Sequence, residues 1–251
     1  MIIENKKQLK IYIILVLILA VFAALSVLFT DSLLQSVGQL PTEIPTSLLA
    51  LANFGMMLIG YGLFGLLGYY IAKKLNWPGI YNERERWKKL VFRPLYFGLV
   101  LGLFLIIAQK FFISLHGLGE FPHPGFPLSI FASITAGIGE ELIFRLFLVS
   151  FWAFILGFIF KKFGKQKIIN WIAIIIASLA FGIGHFPSLY FFYGFVSVNQ
   201  IPAAFIIEVL LLNGLIGVVA GREFIKYGFV AAVGIHFWTD IVWHVIYGFF
   251  S

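Results

Sequence analysis

Seven long apolar runs follow one another along this 251-residue chain, and no other feature limits its fold so strongly. A helix crossing the hydrocarbon core of a bilayer, about 30 Å thick, needs about 20 such residues. The runs are Ile11–Phe29, Ser47–Ala72, Leu95–Leu115 (interrupted by Lys110), Leu128–Phe160, Ile168–Gly184, Ile201–Ala220 and Ile225–Phe250. They predict an all-α fold, a polytopic transmembrane helix bundle of about seven spans, or eight with a short or re-entrant segment. The first run has 19 residues, longer than the apolar stretch of a signal peptide. It is also bulky from Phe22 to Phe29, where a cleavage site needs small residues. The fourth run is long enough to be a tilted helix, or a helix preceded by an interfacial segment after Pro122, Pro124 and Pro127. With no internal repeat and no long linker, residues 1–251 are expected to form a single integral membrane domain.

Composition agrees. The chain is 61% hydrophobic and 12% charged, with a mean hydropathy of +1.00. Soluble domains are about 45–50% apolar and about 25% charged, so a soluble enzyme is excluded. The absence of cysteine excludes disulfides, thiolate catalysis and thiolate metal sites. The net charge of +7 is explained by placement rather than by a nucleic-acid partner. Lys6, Lys7 and Lys10 precede the first run, and Lys73, Lys74 and the residues from Arg84 to Arg93 follow the second. Lys161, Lys162, Lys165 and Lys167 follow the fourth, and Arg222 and Lys226 follow the sixth. Basic residues on alternate loops predict a cytoplasmic N-terminus and a multi-pass protein with lipid as its solvent. Within the second loop, the charged stretch Glu83–Lys89 is read as an amphipathic surface helix or a solvated loop.

Charges inside a bilayer are expensive and usually functional. Here they gather in the later runs: Glu140, Glu141 and Arg145, then His185, Glu208, and His236, Asp240 and His244. Glu141 and Arg145 are spaced i,i+4 and can pair on one helix face, whereas Glu140 is turned about 100° away. One carboxylate can therefore be neutralised while the other is left as a candidate general base. The spacing of His236, Asp240 and His244 makes one polar stripe, which must face water or the bundle interior. Hydrolysis of an amide needs a base for water, a donor for the oxyanion and an acid for the leaving amine, and these residues supply such groups. Glu140, His185 and His236 are also a possible zinc ligand set.

In this order, Glu140-Glu141-x-x-x-Arg145, Phe181-x-x-x-His185 and His236-x-x-x-Asp240 resemble the motifs of the CPBP family, the CAAX proteases and bacteriocin-processing enzymes, also called Abi. The resemblance covers about residues 125–250. It implies an intramembrane endopeptidase, in a bacterial cell membrane, acting on a membrane-associated peptide or protein in CAAX-type, pheromone or bacteriocin-related processing. Glu140 is then the base that activates water, and Glu141 and Arg145 hold its segment in place. His185 and His236 orient water, donate to the oxyanion or act as acid. Asp240 stands where the family often has Asn. A glutamate mechanism without a cofactor is favoured, with a zinc-dependent one as the alternative. Two other readings stay open: a catalytically silent immunity or binding protein, and a proton-coupled transporter using Glu140, Glu208, Asp240 and His244 as a relay.

Overall fold

Lys73 and Lys74 end one long helix and Trp87 begins the next, so the densest run of positive charge is a turn between two spans. The same alternation of apolar helix and short polar connection continues along the chain. The structure, a computed structural model, describes residues 2–36, 44–160 and 165–250; Lys161 and Lys162 lie outside the described residues. The helices are α1 (Ile2–Ser36), α2 (Thr46–Lys74), α3 (Trp87–His116), α4 (Leu128–Ile159), α5 (Gln166–Gly184), α6 (Phe186–Tyr193), α7 (Ala203–Tyr227) and α8 (Phe229–Phe249). No strand occurs among the described residues. Seven spans are long and apolar enough to cross a membrane, α5 and α6 counting as one.

One expectation changes and two open readings are decided. The stretch Glu83–Lys89 is not a separate helix: residues 75–86 form a turn-rich loop, and Lys88 and Lys89 belong to the first turn of α3. The fifth span does not stop at Gly184. It turns at His185, with Pro187 at the start of the continuation, and runs on to Tyr193. The fourth span is one continuous helix without a separate interfacial piece, but its turns widen over Leu142–Val149. A second widened stretch occupies Ile241–Ile246 in α8. Such local i→i+5 turns recur at functional sites, where they re-aim side chains. A third, Met56–Tyr61 in α2, follows Gly55; those in α4 and α8 each begin one residue after a buried acidic side chain, Glu141 and Asp240 respectively.

The main core lies among α1, α2, α4, α5, α7 and α8, with Leu142, Leu146, Ala173, Ala220, Phe224, Phe229 and Ala232 fully enclosed. The outward faces carry large apolar side chains such as Ile107, Phe158 and Leu63, as a lipid-facing surface requires. In lipid there is little hydrophobic gain from bringing helices together, so close approach through small residues carries the packing. A Cβ on Gly102 of α3 would stand 2.5 Å from the Cβ of Val242 in α8. Gly102→Leu is therefore expected to force these helices apart and lower stability by about 1–3 kcal/mol, measured as a lower unfolding midpoint in detergent.

The connection after α2 bends back into the bundle. Ile80 is fully buried, the amides of Phe229 and Val230 bond the carbonyls of Gly79 and Ile80, and the amide of Asn82 bonds the carbonyl of Tyr227. Gly79 and Gly228 sit at φ +81° and +94°, and a Cβ on Gly228 would lie 2.6 Å from Tyr81 Cα. Only glycine suits both that dihedral and that approach.

Candidate active site

Glu140 and Glu141 are neighbours with opposite surroundings, as their 100° separation on a helix demands. The Glu141 side chain is 0% exposed and that of Glu140 34%. Glu141 Oε1 lies 3.0 Å from Arg145 Nη1 and 2.9 Å from His236 Nδ1. The Arg145 guanidinium also lies over the Phe181 ring, 4.1 Å from its centre, a favourable placement for a buried cation. Glu141 and Arg145 thus stand behind the site and hold α4 to α8. They do not line the cavity.

Because a carboxylate can only accept, His236 donates from Nδ1 to Glu141. That bond fixes the ring and leaves Nε2 on the other side. Nε2 lies 3.8 Å from Glu140 Oε2 and 3.7 Å from Asp240 Oδ2. These gaps are too long for direct hydrogen bonds and of the size a bridging water spans. Glu140 Oε2 has no hydrogen-bond partner among the described residues.

His185 is placed by the turn between α5 and α6. Its Nδ1 lies 2.8 Å from the carbonyl of Phe181, an acceptor, so Nδ1 carries the proton and Nε2 is left for another partner. Phe181 also meets the His185 and His236 rings edge-on, at centroid distances of 4.8 and 5.5 Å. The aromatic residue at the head of that motif is the wedge that positions both imidazoles.

Glu140, His185, His236 and Asp240 line one cavity of about 220 Å³, with His244, Glu208 and Asn213 also on its wall. Much of the remaining lining is apolar, including Leu105, Phe121, Phe205, Val209, Leu212 and Trp243. Glu208 is paired as well as cavity-facing. Its partner is His116, whose Nε2 lies 2.9 Å from Glu208 Oε2. His116 Nδ1 accepts from the amide of Leu118 at 3.1 Å, so Nε2 carries the proton and donates to the carboxylate.

His244 is also tied to a residue that the sequence did not single out. Its Nδ1 lies 3.0 Å from His123 Nδ1, one ring donating to the other. Burial pushes His123 below the ordinary imidazole range, against an opposing pull from Glu120, which favours the neutral ring that such a bond requires. Trp243 Nε1 donates to Gln109 Oε1 at 2.7 Å, and Tyr247 donates to Glu120 Oε1 at 2.6 Å. His116, the last residue of α3, and His123, in the connection that follows it, lie outside the three motifs, and spacing offers no signal for either. The need of buried Glu208 for a donor was the one hint for His116.

Among the described residues no group of three or more His, Asp or Glu side chains is arranged to hold a metal ion. The bond from His236 Nδ1 to Glu141 leaves Nε2 as the ring's open nitrogen, and no chemical step is routed through a metal at Glu140, His185 and His236.

Residues 122–242 match a family model described as type II CAAX prenyl endopeptidase Rce1-like. Neither a curated protein nor a solved structure matches the chain.

Proposed function

We propose that the chain is an intramembrane protease of the CPBP type, as its match to the Rce1-like family model over residues 122–242 supports, and that it hydrolyses a peptide bond in a membrane-associated polypeptide, with Glu140 as the base. The carrying observation is that Glu140, His185, His236 and Asp240, from three separate spans, share one cavity. Water held between Glu140 Oε2 and His236 Nε2 gives a proton to Glu140, and its oxygen attacks the scissile carbonyl carbon. The C–N bond then breaks, and Glu140 returns the proton to the departing amine. His185, free at Nε2, is the group to meet the oxyanion or the leaving nitrogen. Asp240 faces His236 Nε2 from the same helix and keeps that ring turned toward the water.

Several observations support this reading. The two carboxylates divide base and support between them, the imidazoles are each fixed through one nitrogen, and the apolar walls can take an aliphatic or aromatic side chain of the substrate.

The test is cleavage of a library of membrane-anchored peptides by the purified protein in liposomes, read by mass spectrometry. His236→Ala is expected to slow cleavage by about 10²-fold or more, whereas a metal chelator leaves the rate unchanged. Full activity in His236→Ala, or loss of activity with chelator that added zinc restores, overturns the mechanism.

A further inference from the structure

The cavity lies at one end of the bundle, and that end is opposite to the positive charge. Its wall is formed by the part of α4 nearer Leu128, the turn at His185 with Ser188 beyond it, the first half of α7 from Phe205, and the part of α8 from His236 to His244. Phe121, from the connection between α3 and α4, closes over it and stacks against Trp243 at 6.0 Å. Every one of these segments points away from the helix ends that carry Lys73, Lys74, Arg93, Lys167, Arg222 and Lys226.

Toward the basic end the way is blocked. Leu142 and Leu146 continue α4 in that direction, Phe229 and Ala232 precede His236 on α8, and Phe224 and Ile80 fill the space between; all six are fully buried. A helix rises about 1.5 Å per residue, so Glu140 sits about 18 Å from the start of α4. The cavity therefore reaches from the non-basic face to about mid-bundle and stops there.

Basic loops stay on the cytoplasmic side. We infer that the cavity opens to the non-cytoplasmic side, and that its substrate is a polypeptide presented from there, an exported or surface-anchored chain rather than a cytoplasmic prenylated terminus. The substrate part rests on the protease reading above; the direction of opening does not.

The chain has no cysteine, so single cysteines report access cleanly. Ser188→Cys and Asn213→Cys place a thiol on the cavity wall, and Arg222→Cys places one on the basic face. Intact cells are treated with a membrane-impermeant thiol reagent, before and after permeabilisation. The expected result is modification of at least one cavity thiol in intact cells, with Arg222→Cys modified only after permeabilisation. Any other pattern overturns the inference, and two cavity positions guard against one poorly folded variant. A second arm adds the peptides found in the liposome library to intact cells. Cleavage outside, unchanged by permeabilisation, supports the substrate assignment, and cleavage that appears only after permeabilisation overturns it. Outward labelling together with no cleaved peptide in any preparation removes the protease reading and leaves the direction of opening in place.

Discussion

Glu140→Gln is expected to lower the turnover rate for peptide cleavage by about 10²–10⁴-fold, the range associated with loss of a general base. The amide keeps the size of the side chain and can still hold water by a hydrogen bond, but a neutral amide does not take a proton from it. Binding of substrate should change little, because the apolar walls of the cavity are untouched. Folding should also survive, since Glu140 Oε2 has no hydrogen-bond partner among the described residues. The measurement is single-turnover cleavage of a membrane-anchored peptide, with the unfolding midpoint as control. A Glu140→Gln variant that cleaves at the parent rate would remove Glu140 from the chemistry.

Arg145→Met should fail in a different way. Its side chain is 1% exposed, and its partner Glu141 is 0% exposed. Removing the cation leaves a carboxylate buried with only His236 beside it, and breaking a buried pair from one side costs about 3–5 kcal/mol. A large drop in unfolding midpoint is expected in detergent or liposomes. The double variant Glu141→Gln with Arg145→Met should regain much of that stability, because no charge is then stranded. It should not regain activity, because His236 Nδ1 loses the carboxylate that orients it. A double variant as unstable as the single one would show that Arg145 contributes by packing on Phe181 rather than by charge.

The two carboxylates illustrate how much of this was legible beforehand. Adjacent Glu residues on a helix must face different ways, and i,i+4 spacing made Glu141 the partner of Arg145, as the structure has it. The apolar runs marked all seven spans because crossing lipid imposes a length that sequence displays directly. What the sequence did not display was anything decided between distant segments. His116 reaches Glu208 and His123 reaches His244, yet one ends a span and the other lies in the connection after it, where an imidazole usually meets water. The widened turns at Leu142–Val149 and Ile241–Ile246 were equally hidden, since they leave hydrophobicity unchanged while altering which way each side chain points. The charged stretch at Glu83–Lys89 left a surface helix and a solvated loop both open for a related reason: the bonds that hold the loop come from the distant start of α8 and end of α7.

That loop has a consequence for the chemistry. By seating Gly79 and Ile80 against the first amides of α8, it sets the depth at which His236 hangs beside Glu140. The His236 imidazole is in effect suspended from a peg on the far side of the molecule. Damage to the peg would be felt as a blunted enzyme, even in a protein that still inserts in full, although none of the peg's own residues comes near the substrate.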